Sequence, residues 1–126
     1  MKKAVQVPSL KAVGPYSIAM EANGFVHCSG QVPLDPETGK LVEGSIGDQT
    51  RRSMENLKVV LAGAGLDFSD VVKCVVFLTD MGDFAAVNEV YASYMSDPAP
   101  ARSCVAVAAL PLGARVEVEC VAALRS

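Results

Sequence analysis

Hydrophobic and polar positions alternate along the last strand-like segment of the chain. From 115 to 123, valine, cysteine and alanine side chains occupy one set of alternate positions, and Arg115, Glu117 and Glu119 occupy the other. A side-chain period of two is typical of a β-strand. The pattern therefore predicts a strand with one face in the core and two carboxylates on the opposite face.

A second strand is predicted over 102–109, where the alternation sets Arg102 and Cys104 on one face and Ser103, Val105 and Val107 on the other. The connection between the two strands, 110–114, contains Pro111 and Gly113, which are typical of a loop. This loop suits either a hairpin or a crossing to another place in the sheet. Whether the two strands are neighbours stays open.

Further strands are predicted over 4–6, 17–21 and 25–29. The last two are joined at Asn23–Gly24, which is a strong signal for a two-residue hairpin turn. The run 71–78 is apolar and rich in valine, as expected for a strand in the middle of a sheet.

Two helices complete the pattern. Ser45 and Asp48 have the spacing of a capping box, and apolar side chains then recur at three- and four-residue steps until Gly65. A second helix is predicted over 83–94, with a stripe of side chains that we assign to the core: Phe84, Val87, Tyr91 and Tyr94.

The order of elements predicts an α+β fold, with one mixed sheet and both helices packed on one face of it. The other face must then meet water or another subunit. Arg102 and Glu117 are candidates for that second face or its rim.

The length and composition of the chain limit the classes of protein to which it can belong. The 126 residues correspond to one domain, 1–126. Half of the residues (51%) are hydrophobic and only 6% are aromatic, which favours burial of apolar surface in an oligomer. The net charge of −3 and the pI near 5.0 leave no basic field, so we expect no nucleic-acid partner.

No targeting signal or membrane span is expected near the N-terminus, because Pro8, Gly14 and Pro15 interrupt 4–18. The four cysteines form no Cys-x-x-Cys pair and are expected to be reduced thiols in the cytoplasm. His27 is the only histidine and falls in a predicted strand, which argues against a metal site and against catalysis by a Ser-His-Asp or Cys-His group.

The charges in otherwise apolar strands allow two interpretations. An arginine and a glutamate cost several kcal/mol to remove from water without a partner, which suggests a ligand site. Alternatively, Arg102 is a solvated edge residue, and Glu117 and Glu119 form the wet face of an antiparallel sheet. The residue pattern leaves both interpretations open.

Several segments together resemble the RidA/YjgF family, also called L-PSP endoribonuclease-like. The resemblance spans nearly the whole chain, and its most specific motifs are Pro-Ala-Arg-Ser at 100–103 and Val-Glu-Val-Glu at 116–119. The other matching segments are Gly-Pro-Tyr-Ser at 14–17, Ser-Gly-Gln at 29–31, Gln49 to Asn56, Asp83-Phe84 with Val87-Asn88 and Tyr91, and Leu110-Pro111.

The resemblance implies a chorismate-mutase-like fold and a homotrimer whose sheets form a central barrel, with ligand clefts between subunits. It implies hydrolysis of reactive 2-imino or enamine acids, products of pyridoxal-phosphate enzymes, to 2-keto acids and ammonia. The activity is of the 2-iminobutanoate/2-iminopropanoate deaminase type. No cofactor is implied.

The same resemblance assigns roles to individual residues. Arg102 would bind the substrate carboxylate, and Glu117 would orient or deprotonate the attacking water, with Glu119 a weaker candidate. Backbone groups of Cys104 would help to place substrate and water. Four further residues would line the cleft: Tyr16, Ser29, Gly30 and Asn88.

Two departures from the family pattern leave the size of the substrate open. The loop 96–100 is short and lacks an aromatic residue before Pro-Ala-Arg, and Ala106 stands where several members have glutamate. Other members are described as ribonucleases, translation inhibitors or chaperone-like proteins. An RNA-acting protein or a ligand-sensing binding protein is therefore the alternative function.

Overall fold

The computed structural model describes residues 1–126 and contains one six-stranded sheet with two α-helices on one face. This is the α+β architecture that the sequence predicts. The elements are β1 (Lys3–Ala4), β2 (Ala19–Ala22), β3 (Phe25–Gln31), α1 (Ile46–Gly63), β4 (Val71–Leu78), α2 (Phe84–Ala92), β5 (Ala101–Ala106) and β6 (Val116–Ala123).

The strand order across the sheet is β1-β2-β3-β6-β4-β5. β4 and β5 are parallel, and every other neighbouring pair is antiparallel. β4 therefore lies between β5 and β6, so the loop 110–114 is a crossing and not a hairpin. The interior position predicted for the valine-rich strand is confirmed.

The start and end of α1 follow from local chemistry. The Ser45 hydroxyl accepts a hydrogen bond from the Asp48 N–H at 3.1 Å, and the Asp48 carboxylate accepts one from the Ser45 N–H at 3.2 Å. This reciprocal pair is the predicted capping box. Gly65, with φ of 74°, follows the last turn in the left-handed region that glycine tolerates best.

The core lies between the helices and one face of the sheet. Alternate residues of β6 point into it and are 0–3% exposed: Val116, Val118, Cys120 and Ala122. α1 contributes Met54, Leu57 and Leu61, and α2 contributes Val87 and Tyr91. Both helices thus cover the same face, as predicted.

One buried polar side chain, Asn56 on α1, was not identified from the sequence as structural. It is 1% exposed, and its Nδ2 donates to the Leu34 carbonyl at 2.9 Å and to the Val32 carbonyl at 3.4 Å. Its Oδ1 accepts from the Arg52 guanidinium at 2.9 Å. Asn56 therefore attaches the segment that follows β3 to α1.

Several strand boundaries differ from the predictions. β2 begins at Ala19 and not at 17, and the Ser17 carbonyl instead accepts a hydrogen bond from the Ser29 hydroxyl at 2.7 Å. β5 ends at Ala106 and not at 109, although the Val107 N–H still donates to the Leu78 carbonyl. No helix of the chain combines the length and apolar character needed to cross a membrane.

Candidate functional site

A cleft of about 380 Å³ opens beside β3 and β6 and holds four of the predicted site residues: Tyr16, Ser29, Gly30 and Glu117. We refer to these four as the cleft group. Its apolar walls include Val13, Ile18, Leu34 and Leu112, and Lys11 and Glu119 supply further charges. The cleft thus combines apolar walls with convergent polar groups, as ligand sites commonly do.

A β-bulge in β3 shapes this cleft. Cys28 pairs with Cys120 and Gln31 pairs with Val118, so β3 uses one residue more than β6 over the same distance. The extra residue falls in the Ser29–Gly30 segment, where the Ser29 hydroxyl is fixed by its bond to the Ser17 carbonyl. The bulge therefore turns this segment out of the regular ladder at the cleft.

Gly30 permits the close approach of Glu117. A Cβ atom built at position 30 would lie 2.5 Å from the Glu117 Oε2 atom, which is closer than real Cβ contacts. Only glycine leaves that space free without displacing the carboxylate. The sequence motif Ser-Gly-Gln pointed to this position, and the contact gives its physical reason.

Burial raises the pKa of Glu117, and the neighbouring charge of Glu119 raises it further. Neither carboxylate has a cationic partner, since the ion pairs of the chain join Arg51 to Asp48 and Arg125 to Asp67 and Asp70. An unpaired, half-buried carboxylate with a raised pKa is suited to accept a proton from water near neutral pH.

Arg102 lies elsewhere, on β5. It pairs with Cys74 of β4, whose side chain is buried in the core beneath the helices. Residues paired across strands point to the same face, so Arg102 also points toward the helices. The expectation that Arg102 shares the open face or its rim with Glu117 is therefore wrong. A period of two relates positions within one strand, but it cannot relate the faces of two strands that do not pair.

The guanidinium of Arg102 is held by α2. Its Nη1 donates to the Asn88 Oδ1 at 2.6 Å, and its Cζ lies 4.9 Å from the Tyr91 ring centroid and 5.6 Å from that of Phe84. Arg102 has no carboxylate partner. A half-buried cation held only by an amide and two rings has free capacity for an anion.

Cys104 follows Arg102 on the same face and pairs with Val76. Burial raises the pKa of the Cys104 thiol, against a smaller opposing effect of the Arg102 charge. The thiol is therefore protonated at neutral pH and is a weak nucleophile. The other three cysteines are buried in the core as free thiols: Cys28, Cys74 and Cys120.

The predicted site residues thus form two separate groups in one chain. Asn88, Arg102 and Cys104 form the second, which we call the arginine group. Arg102 and Glu117 are on opposite faces of the sheet, with β4 and about two strand spacings, roughly 10 Å, between their strands. The cleft group lines one cleft, and in the arginine group Asn88 bonds to Arg102, with Cys104 on the same face of β5. The two groups do not meet in a single chain.

The prediction missed two contacts of Arg102, the rings of Phe84 and Tyr91, which it assigned to the core. A usable signal exists in the sequence, because Phe84, Asn88 and Tyr91 have the i, i+4, i+7 spacing of one helix face. No set of three or more His, Cys, Asp or Glu side chains is arranged to hold a metal ion.

Comparison with known proteins identifies the family. The Endoribonuclease L-PSP family matches residues 7–124. A mouse protein named 2-iminobutanoate/2-iminopropanoate deaminase is 47% identical over 111 residues, which cover 88% of this chain and 82% of the mouse protein.

Two crystal structures are similar over nearly their full lengths. RidA from an Antarctic Psychrobacter is 43% identical with a TM-score of 0.92, covering 97% of this chain and 99% of that one. E. coli TdcF with bound serine is 39% identical with a TM-score of 0.91, covering 98% of this chain and 99% of that one. The chain therefore belongs to the Endoribonuclease L-PSP family, which is the RidA/YjgF family that its motifs predicted.

Proposed function

We propose that this protein is a deaminase that hydrolyses 2-imino acids, including those formed from 2-aminoacrylate, to 2-keto acids and ammonia. The observation that carries the proposal is the unpaired Glu117 carboxylate, which has a raised pKa and lies in an open cleft against Gly30. The name of the mouse relative and the serine bound to E. coli TdcF, a small amino acid, support the same substrate class.

Arg102 would bind the carboxylate that every 2-imino acid carries. A guanidinium offers several N–H donors in one plane, and Asn88 uses only the Nη1 side. The remaining donors can form two parallel hydrogen bonds to a carboxylate. Because β5 is an edge strand, backbone groups near Cys104 that face away from β4 are free to bind substrate or water.

Glu117 would serve as the general base. Water adds to C2 of the imine as Glu117 takes a proton from it, and the electron pair of the C=N bond moves to nitrogen, which receives that proton from Glu117. In the resulting carbinolamine, Glu117 takes the proton of the hydroxyl group and passes it to nitrogen. The C–N bond breaks, ammonia leaves, and the 2-keto acid remains.

We propose that a complete site needs two copies of the chain, arranged as a homotrimer. One chain cannot present both groups to one small substrate, because Arg102 and Glu117 are on opposite faces of its sheet. The open face carries three half-buried apolar side chains: Val75, Phe77 and Val121. Their exposure favours burial of this face against another copy of the chain. The cleft group of one copy would then meet the arginine group of the next.

The direct test is ammonia release from imines generated in place by an amino-acid dehydratase or oxidase, with catalase present for the oxidase. We expect this protein to accelerate ammonia release well above the rate in water alone. No acceleration with imines of several side-chain sizes would refute the proposed reaction.

Replacement of Arg102 by alanine tests the carboxylate anchor. Arg102→Ala removes a half-buried guanidinium without creating a hole in the main core, so we expect a folded protein with almost no deamination. Circular dichroism and size-exclusion chromatography check the fold and assembly. Activity like that of the unmodified protein would refute the role of Arg102.

The alternative function, action on RNA, follows from the name of the family, Endoribonuclease L-PSP. The net charge of −3 offers no general attraction for a phosphate backbone. Salt separates the two functions, because RNA binding must weaken steeply as salt concentration rises. Hydrolysis in a small cleft should change much less.

A further inference from the structure

Three residues of α2 hold the Arg102 side chain from one helix face. Phe84, Asn88 and Tyr91 follow each other at i, i+4 and i+7, so their side chains form one row that faces β5. The amide fixes Nη1 at 2.6 Å, and the rings lie 4.9 and 5.6 Å from Cζ. These distances are in the range of favourable cation–π contacts.

We propose that Tyr91, together with Phe84, is a positioning residue that fixes the guanidinium of Arg102 so that its free edge can receive a carboxylate. This inference rests on the proposed function and deepens it. An arginine side chain has several rotatable bonds and loses considerable conformational freedom when it binds. Rings that restrict it beforehand reduce the entropy lost when the substrate arrives.

Arg102 lacks the usual means of restraint. No carboxylate forms an ion pair with it, so a single amide hydrogen bond and two aromatic faces are its identified partners. A carboxylate in their place would neutralise the cation and compete with an anionic substrate. Aromatic faces attract the cation and leave its charge and its remaining N–H donors available.

The ring of Tyr91 carries this role, and its hydroxyl does not. Tyr91 is 7% exposed, and its hydroxyl is buried with no hydrogen bond of good geometry. Burial, and then the neighbouring Cys74 thiol, raise the pKa of Tyr91, so the hydroxyl is neutral. Phenylalanine at this position should therefore preserve the positioning, whereas leucine should remove it.

The test compares Tyr91→Phe, Tyr91→Leu and Phe84→Leu with the unmodified protein. Calorimetry measures the Kd of 2-oxobutanoate, a 2-keto acid product of the proposed reaction. We expect Tyr91→Leu to raise this Kd about fivefold or more, and Tyr91→Phe to change it by less than about twofold. If Tyr91→Leu does not fold, Phe84→Leu takes its place in the test. Phe84 is 38% exposed, so its replacement should not disrupt the core.

Tyr94→Leu is the matched control for the loss of an aromatic ring. The Tyr94 ring lies 5.5 Å from that of Phe68, and its hydroxyl donates to Glu55 at 2.7 Å. Because Tyr94 contacts these residues and not Arg102, Tyr94→Leu should lower thermal stability without changing the Kd.

A second measurement follows the arginine itself. The NMR signal of the Arg102 Nε–Hε group, assigned by its disappearance in Arg102→Ala, reports how rigid the side chain is. We expect a lower heteronuclear NOE in Tyr91→Leu than in Tyr91→Phe or the unmodified protein. A purely structural defect elsewhere would not produce that difference.

The results separate this inference from the proposed function. Tight, Arg102-dependent binding of 2-oxobutanoate without any ammonia release would refute the deaminase and leave the positioning role standing. The positioning role is refuted if Tyr91→Leu leaves the Kd or the Arg102 rigidity unchanged, or if Tyr91→Phe is as defective as Tyr91→Leu. It is also refuted if Arg102→Ala binds 2-oxobutanoate as tightly as the unmodified protein.

Discussion

At the scale of single residues, Glu117 is a half-buried carboxylate that has no cationic partner, and burial raises its pKa. We expect Glu117→Gln to retain binding of 2-oxobutanoate and to lower kcat by about a hundredfold or more, since an amide keeps the shape but accepts no proton from water. Calorimetry and ammonia release measure the two properties separately. An equal loss of binding and rate would instead assign Glu117 to ground-state binding.

The raised pKa of Glu117 also predicts a pH dependence. The base works only when deprotonated, so kcat/KM should fall as pH decreases, with an inflection above the ordinary glutamate value of 4.5. Glu119→Gln removes the neighbouring charge, so the inflection should move to lower pH. A complete loss of activity in Glu119→Gln would make Glu119 the base.

The raised pKa of Glu117 also predicts that stability, unlike activity, decreases as pH rises. A carboxyl whose folded-state pKa is raised binds its proton more tightly in the folded state, so folding becomes less favourable as pH rises from 4.5 through the folded-state value. We therefore expect Glu117→Gln to raise the Tm at pH 7 and to leave it nearly unchanged at pH 4, as thermal melts at both pH values can show.

The Cys104 thiol is not required by this chemistry. Its pKa is raised by burial, and the only histidine of the chain is on β3, away from it. Cys104→Ser should therefore keep most of the activity, because backbone groups supply the proposed contacts. Loss of ammonia release with an intact fold would identify Cys104 as a nucleophile.

At the scale of elements, the bulge in β3 sets the position of the base. Gly30→Ala would place a Cβ 2.5 Å from Glu117 Oε2, and the flexible glutamate would move away. We expect a folded protein with kcat lowered at least about tenfold, a loss in line with displacement of a general base. Ammonia release measures the rate, and circular dichroism checks the fold.

Gly47→Ala is the matched control for Gly30→Ala. A Cβ at position 47, in the first turn of α1, would meet only ordinary contacts at 3.6 and 3.7 Å. Alanine favours a helix over glycine by up to about 1 kcal/mol, so Gly47→Ala should be at least as stable as the unmodified protein and fully active. Unchanged kcat in Gly30→Ala would show that the close approach of Gly30 to Glu117 is unimportant.

Features of the helices and strands that depend on neighbouring residues can be predicted from the sequence, whereas those that depend on distant segments cannot. The capping box of α1 and the alternation in β6 depend on neighbours in the chain, so both were predicted correctly. The position of β4 between β5 and β6 depends on contacts between distant segments, and the spacing left it open. The wrong face for Arg102 follows directly, because its face is set by pairing with Cys74.

Part of the site was accessible only through resemblance. Alternation placed Glu117 opposite the core, but nothing in the residue pattern linked Ser29, Gly30 and Tyr16 to it. The family motifs supplied these residues, and the structure places them around one cleft. The core assignment of the α2 stripe is confirmed for Tyr91, which is 7% exposed, and is wrong for Phe84, which is 38% exposed.

At the scale of the whole molecule, the separation of the two groups predicts complementation between inactive variants. Arg102→Ala and Glu117→Gln should each be inactive, since every site in either oligomer lacks one essential group. When the two are mixed and allowed to exchange subunits, a site made of Arg102 from one chain and Glu117 from the next can be intact. With equal amounts and random assortment, about one quarter of the sites have both groups, so we expect about one quarter of the unmodified activity.

The mixing experiment needs a check of assembly and of exchange. Sedimentation should show trimers in each variant and in the mixture, and mass spectrometry of differently tagged chains should show mixed oligomers. If each site were contained in one chain, mixed oligomers would form without any recovery of ammonia release. Recovery near one quarter, seen only after exchange, therefore requires a site built across two chains, because neither variant alone holds both Arg102 and Glu117. A fully active monomer, or mixed trimers that stay inactive, would refute both the shared site and the account of the open sheet face.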